Sequence, residues 1–479
     1  MISALTFAPV LAALLILLLP ERWARRLALG GALASLVITG CLLGQFNPSG
    51  GLQFVEKAAW IPALHVDYFV GLDGTNALVL LLATILAPLA VLASPAQMPR
   101  SYYLLLSLQF TGLFGAFTAL NFFHWFIFWE MALVPAFFLI KLFGHGEDRH
   151  RAALSFFLFT VLGSVAMLLG FLFLSNGGQE SFDFIALADK AKSGALQPGG
   201  WVFIAVLAGL CVKVPLVPLH LWQAPAYAAA PVPVTMLLTG VMSKMGVYGF
   251  LRIIVPIFPQ ELRAHAETLM VLALVTILWG AFLALRQTQL KRLLAFSSLN
   301  HVAFCVFGVG VLGIATNAGT VDVQRLATQG IILQMFAHGI TAAGLFYMAG
   351  LLEQRAGKDG LNDFGGLSAA TPRLAIAFYL LAMGSLGLPF LAGFAAEFLI
   401  FASAFAVAPT LTVVATLGLL ATAVFLLTAL QRLFTGPTPE HVKFMPDLSL
   451  EESLLLVPVL ALVFWVGLIP GRWLAFSAN

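Results

Sequence analysis

Between residues 3 and 474 the chain repeats one pattern about fourteen times: an apolar run close to 20 residues long, then a polar connection. A bilayer core of ~30 Å is crossed by about 20 helical residues. No water is available there for backbone polar groups, so only helices or closed barrels cross it. The runs lack the alternation of barrel strands, which leaves helices. The chain is 61% hydrophobic and 9% charged, whereas soluble domains carry about 25% charged residues. The pattern predicts an all-α polytopic membrane protein, lodged in a lipid bilayer. Spans are expected near 3–20, 27–45, 72–94, 102–120, 122–143, 152–175, 200–221, 231–255, 267–286, 290–313, 327–352, 373–403, 409–431 and 452–474. The first run has no basic residue before it and reads as a retained span. The longest polar stretches, about 46–70, 176–199 and 353–372, read as loops.

Lysine and arginine in the loops set the expected orientation. One side holds fifteen, among them Arg22, Arg25, Arg26, Lys291 and Arg292; the other holds seven, Lys57, Lys190, Lys192, Arg252, Arg263, Arg325 and Arg472. The richer side is expected to be cytoplasmic, which puts both termini outside.

Two lysines fall in neither set. Lys213 opens KVPLVPLHLW (213–222) and Lys244 lies in SKMGVYGFLR (243–252), both inside apolar runs. A lysine at a bilayer centre costs about 2.5–3.5 kcal/mol on insertion scales. Pro215 and Pro218 each remove a backbone donor, so the seventh span should be broken there. Broken helices at membrane depth occur where they are buried in protein or line a watery cavity. The twelfth span has the same design, with Gly387, Pro389 and Gly393 around Glu397 in LPFLAGFAAEF (388–398). The two breaks are five spans apart. An odd number of spans reverses the second copy, so the spacing predicts two inverted five-helix repeats with broken helices 7 and 12, a recurring transporter plan. The expected units are 1–95 (flanking helices), 102–255 (first half-channel), 267–431 (second half-channel) and 452–474 (a last flanking helix).

Glu130 in FWEMALVP (128–135), His301 at the end of LKRLLAFSSLNH (290–301) and His338 in QMFAHGITAAGLF (334–346) complete the intramembrane set. Burial favours the neutral amine of a lysine, and a nearby carboxylate favours the ammonium. A Glu–Lys pair whose separation changes is therefore a proton switch, and Glu130 with Lys213 fits that part. Lys244, His301 or His338 would relay toward Glu397, with water filling the gaps. The plainer reading makes Glu130–Lys213 a static clamp and Lys244 a ligand for a broken-helix carbonyl. His124 and His220, near span ends, read as structural, and Asp73 in GLDG (71–74) as a helix N-terminal carboxylate. Lys291 and Arg292 read as cytoplasmic anchors. Gly246 and Gly249 read as sites of close helix approach.

FWEMALVP, KVPLVPLHLW, SKMGVYGFLR, LKRLLAFSSLNH, QMFAHGITAAGLF and LAGFAAEF, in this order over roughly 70–435, resemble the antiporter-like subunits of respiratory complex I and their relatives. The glutamate at the Glu397 position is typical of the subunit M branch. The resemblance implies a proton-translocating membrane-arm subunit in a bacterial cytoplasmic membrane, with other membrane-arm subunits as partners. Redox chemistry would lie in other subunits of an NADH:quinone oxidoreductase-type translocase. It also implies proton-channel roles for Glu130, Lys213, Lys244 and Glu397, and a place for His338 in the connecting polar axis. One stretch departs from the family. After His220-x-Trp222, an acid, a histidine and a glutamate are usual where Pro225, Tyr227 and Ala229 stand in QAPAYAAAP (223–231).

Other classes find less support. A net charge of +3, dispersed along the chain, does not suggest a nucleic-acid partner. Cys41, Cys211 and Cys305 form no CxxC pair, so iron–sulfur, zinc and disulfide chemistry lack a motif. No phosphate-cradling loop is evident, and no cofactor or metal is expected in this chain. The alternatives kept are a subunit of a multisubunit cation/proton antiporter or membrane-bound hydrogenase-type complex that also moves sodium, a mainly structural membrane scaffold, and a stand-alone carrier of small solutes.

Overall fold

A computed structural model of the protein describes residues 1–175, 181–316 and 320–477. The first half contains α1 (Ile2–Leu18), α2 (Ala24–Gly44), β1 (Gln53–Ile61), β2 (Val66–Leu72), α3 (Ala77–Ala93), α4 (Arg100–Thr118), α5 (Phe122–Phe143), α6 (Arg149–Leu174), α7 (Phe184–Lys192), α8 (Gly200–Lys213) and α9 (Gln223–Ala229). The eighth apolar segment is a composite: α10 (Val232–Leu237), a π-helical turn (Leu238–Met242), α11 (Ser243–Gly249), a second π-helical turn (Phe250–Ile254) and α12 (Val255–Ile257). There follow α13 (Pro259–Leu285), α14 (Leu290–Ile314), α15 (Val321–Ala356), α16 (Leu367–Ala370), α17 (Pro372–Ser385), α18 (Ala392–Val407), α19 (Pro409–Phe434), α20 (Glu440–Lys443), α21 (Leu450–Leu468) and α22 (Pro470–Leu474). Among the described residues, nine helical segments are long and apolar enough to cross a membrane. The shorter apolar helices α1, α3 and α8, the pair α17 and α18, and the 19-residue α4 occupy the remaining expected spans.

Both expected breaks are present. The chain leaves helical geometry between α8 and α9, and again between α17 and α18. Groups freed at the first break find partners elsewhere. The Trp222 indole donates to the Val212 carbonyl at 3.1 Å, and the Val217 N–H donates to the Thr276 hydroxyl of α13 at 3.0 Å. At membrane depth such replacements are what make an interruption tolerable.

The composite eighth segment, α14 and α15 are the most deeply enclosed elements. α15 packs against α18, α14, α17, α3 and α10, and α14 packs against α13, α15 and α18. The outer face of α6 is lined by exposed Leu154, Leu158, Leu162 and Leu169, the sort of surface that faces lipid or another apolar chain. At the other end of the bundle, Asp447 accepts the Arg373 and Leu374 N–H groups at 2.9 Å each, capping the start of α17.

Several sequence expectations need correction. The 46–70 stretch is no loop: β1 and β2 form an antiparallel hairpin, with Glu56 opposite Val70 and Ala58 opposite Tyr68. Irregularities between Gln53 and Glu56 and between Ala59 and Ile61 break its alternation, which hides such strands from a period-two reading. The third span starts at Ala77 rather than near 72, because β2 runs to Leu72. The 176–199 stretch contains α7, while its residues 176–180 lie outside the described residues. The 353–372 stretch contains α16. Arg252 is not in an outer loop; it is buried in the second π-helical turn. Lys291 is also buried, paired with Glu353, rather than a solvated anchor.

Candidate functional site

α14, α15, α18 and the eighth segment bring four of the predicted residues into one line. The π-helical turn 238–242 shifts the backbone ladder by one residue and frees carbonyls that a regular helix would use. Lys244 fills that gap. Its Nζ donates to the Thr239 carbonyl at 2.5 Å and to Ser243 Oγ at 3.2 Å. The same ammonium nitrogen lies 2.8 Å from His338 Nδ1 on α15. The His338 ring stacks on His301 of α14, with centroids 5.4 Å apart and planes at 29°. His301 Nδ1 is 3.2 Å from Glu397 Oε1 on α18, and its Nε2 is 3.3 Å from Ser385 Oγ at the end of α17. Lys244 is thus a ligand of a π-turn carbonyl and also touches His338.

The broken twelfth segment shapes the far end of this line. Gly387 has φ +77°, and a Cβ built there would lie 2.5 Å from Glu397 Oε2. Glycine thus provides both the left-handed turn and the space for the carboxylate. His301, Gln334, His338, Thr341, Gly384, Ser385, Gly393 and Glu397 surround a small enclosed space. We expect Gly387→Ala to displace the Glu397 carboxylate and to add about 1–2 kcal/mol of backbone strain. The check is ion translocation by the assembled protein, which should fall together with thermal stability.

Glu130 and Lys213 form a second group. Lys213 ends α8 at the break, 2% exposed, with its Nζ 4.7 Å from the centroid of the Trp129 ring. Glu130 follows Trp129 on α5 and is half-buried. The two charges lie within electrostatic range but form no ion pair, and Lys213 Nζ and Glu130 Oε1 have no hydrogen-bond partner. Glu130 and Lys213 thus stand apart. Gly246 lets α11 pack closely on the end of α8: a Cβ there would lie 2.5 Å from Val214 Cγ2 and 3.3 Å from Lys213 Cβ. Gly249 does the same against Leu210, as expected.

His124 proves structural, packed against Tyr68 and Phe128 with ring centroids at 4.6 and 4.7 Å. His220 is buried within the break, and its Nδ1 has no partner. The side-chain amides of Gln109 and Gln223 and the Oε1 of Gln334 are buried without partners as well. Buried polar atoms of this kind are normally satisfied. Thr239 Oγ1 contacts Ser298 Oγ at 2.9 Å, and Asn300 Nδ2 donates to Thr422 Oγ1 at 2.7 Å, which extends the polar interior beyond the charged residues. Among the described residues no cluster of His, Cys, Asp and Glu has the form of a metal site.

The sequence did not reveal the pair Asp73–Arg252. The guanidinium holds the carboxylate with two bonds of 2.7 Å, and its Nε donates to Tyr248 at 3.0 Å. Asp73 also accepts the Thr75 N–H, as a helix N-terminal carboxylate does. The signal was an arginine between apolar neighbours, FLRII, that the loop count placed outside the membrane.

Residues 119–423 match the family described as NADH:quinone oxidoreductase/Mrp antiporter, TM. The chain belongs to this family. It is 35% identical to F(420)H(2) dehydrogenase subunit M of Methanosarcina mazei over 464 residues, covering 94% of this chain and 90% of that one. It is 34% identical to NADH-quinone oxidoreductase subunit M of Pseudomonas aeruginosa, covering 90% and 84%. Among solved structures, a chain of respiratory complex I from Thermus thermophilus superposes with a TM-score of 0.87 at 30% identity, over all of this chain and 98% of that one. A chain of the Mrp complex from Dietzia shares the fold, with a TM-score of 0.86 at 21% identity over all of this chain and 96% of that one. Membership in the NADH:quinone oxidoreductase/Mrp antiporter family fits a multi-pass chain that works beside other membrane subunits, and it confirms the resemblance read from the six motifs.

Proposed function

We propose that this chain is a proton-translocating membrane-arm subunit of an NADH:quinone oxidoreductase-type complex. The observation that carries the reading is the line of contacts Lys244–His338–His301–Glu397, which crosses the most enclosed helices and ends on α18. Each group in it can hold or release a proton. Glu130 and Lys213 act as the switch: when the carboxylate approaches, the ammonium is stabilised, and when it withdraws, the proton is driven toward Lys244. Residues 102–255 and 267–431 serve as two oppositely oriented half-channels. The chain lies in a bacterial cytoplasmic membrane with both termini outside. Removing the buried Arg252 and Lys291 from the loop counts leaves six basic residues on the outer side against fourteen on the inner one, so the charge bias persists.

Lys213→Ala in the complete complex tests the switch. Assembly is expected to be retained, since Lys213 Nζ has no hydrogen bond to lose. Proton movement driven by redox turnover, followed with a pH-sensitive dye in membrane vesicles, should fall strongly. Full pumping by a correctly assembled variant would end the proposal. A second reading, the same relay coupled to a different electron donor, is favoured by the likeness to F(420)H(2) dehydrogenase subunit M. Mild-detergent purification from native membranes, with mass spectrometry of the companions, separates the two.

A further inference from the structure

A basic surface outside the site lies where α1 passes into α2 through a single 3-10 turn, Glu21–Trp23. Arg22, Arg25 and Arg26 stand there in sequence. The fold adds Arg100 from the start of α4, because the Glu21 carboxylate accepts the Arg100 N–H at 3.0 Å. That carboxylate is thereby committed to a backbone group. Arg25 donates to the Leu92 carbonyl at the end of α3, at 3.0 Å. The Arg26 guanidinium lies 5.1 Å from the centroid of the Trp23 ring, which is 41% exposed. The Arg22 and Arg100 side chains are exposed and, among the described residues, have no hydrogen bond or ion pair. An exposed apolar stripe leads away from this cluster. On α2, steps of four, three and four residues run from Arg26 to Gly30, Leu33 and Val37, all exposed and on one helix face. A Cβ built at Gly30 would meet nothing within 4 Å, whereas one at Gly31 would lie 2.8 Å from Ala12 Cβ of α1. The helix pair is thus closed at Gly31 and leaves a gap in the outer stripe at Gly30. From Arg26 to Val37 the stripe is about 16 Å long at 1.5 Å per residue, half of a bilayer core of ~30 Å. It spans one leaflet, with Trp23 at the level where aromatic residues meet the headgroups.

We propose that this surface binds one anionic phospholipid from the leaflet on the arginine-rich side. Arg22, Arg26 and Arg100 supply the guanidiniums that meet its phosphate, whose oxygens match their paired donors. One acyl chain lies along α2, seated in the gap at Gly30 and running past Leu33 to Val37. Charge decides the occupant: four arginines face a single carboxylate that already caps α4, and basic clusters of this size beside a membrane helix attract anionic headgroups. The leaflet-long apolar stripe excludes a soluble phosphate as the full occupant, since it would leave Leu33 and Val37 uncovered. Glu21 ties this turn to α4 and Arg25 ties α2 to α3, so the bound lipid braces the junction of three helices.

The test uses the complete complex, purified in mild detergent and supplied with phosphatidylglycerol carrying a photoreactive acyl chain. After illumination, peptide mass spectrometry should find the label on residues 30–37. Arg22→Gln combined with Arg26→Gln should weaken that labelling about 30-fold at limiting lipid, the loss expected for two arginines near a charged headgroup. Labelling elsewhere on the complex should not change. Gly30→Leu fills the gap in a place where a Cβ meets no other atom, and it carries the test should the arginine variant fail to assemble. It too should lower the labelling, with all four arginines in place. Phosphatidylcholine with the same photoreactive chain should label 30–37 weakly, and excess inorganic phosphate should not displace phosphatidylglycerol. Equal labelling by phosphatidylcholine would make this ordinary solvating lipid. Displacement by inorganic phosphate would make it a free-anion site, and no labelling by either lipid would mean that a neighbouring subunit covers the face. Each of these results overturns the proposal, as does unchanged labelling in the variants.

Discussion

Lys244→Met is expected to reduce proton translocation about 100-fold, the low end of what a positioned proton-transfer group contributes. Lys244 begins the line of contacts that runs to Glu397. Its nitrogen touches the Thr239 carbonyl, Ser243 Oγ and His338 Nδ1, the last opening the line to His301 and Glu397. Methionine fills nearly the same volume with an apolar chain, a kind of swap that cores tolerate. The Thr239 carbonyl loses a donor, which is worth about 1 kcal/mol and should leave assembly intact. Lys244→Arg separates a structural role from a relay role. Arginine can cap the same carbonyl with a fixed positive charge, but it does not release its proton at physiological pH. If Lys244 only braced the π-helical turn, arginine would restore function; as a relay member, it should not.

The largest effect on stability is expected at Arg252→Ala. The guanidinium makes two bonds of 2.7 Å to Asp73 and one to Tyr248, and its side chain is 7% exposed against 17% for Asp73. Removing one member of a buried pair leaves the other charge uncompensated, which costs about 3–5 kcal/mol. Thermal inactivation of the detergent-solubilised protein should therefore shift to markedly lower temperature. The double variant Asp73→Asn with Arg252→Gln leaves no stranded charge and should recover much of the loss. Equal losses in the single and double variants would show that the two side chains are not coupled. Because this pair joins the start of α3 to the C-terminal half of the eighth segment, it also fixes the helix on which Lys244 stands.

The parts of the fold legible in the sequence were those with strong local signals. Prolines 215 and 218 and glycines 387 and 393 announced two helix breaks, and long apolar runs announced the spans. The charged residues of the site were legible for the same reason: Lys213, Lys244, Glu130 and Glu397 are conspicuous in apolar surroundings. What remained hidden depends on partners far apart in the chain or on small backbone adjustments. The hairpin β1–β2 was obscured by its irregular register. The π-helical turns have no distinctive residue type, yet one of them creates the carbonyls that Lys244 and Tyr227 engage. Asp73 and Arg252 are 179 residues apart, and only the fold brings them together. The adjacency of Glu130 and Lys213 was suggested by chemistry alone; the structure adds that they stand apart, with the Lys213 ammonium over Trp129.

Proton movement along the Lys244–His338–His301–Glu397 line distinguishes a relay from a structural brace. The most direct measurement is the number of protons translocated per electron by the complete complex reconstituted in sealed vesicles, for the unmodified chain, Lys244→Met and Lys244→Arg. A lower ratio in both variants, with intact assembly, is the predicted result. An unchanged ratio in Lys244→Met, or full recovery in Lys244→Arg, would contradict the relay and leave Lys244 as a brace for the broken helix geometry around it.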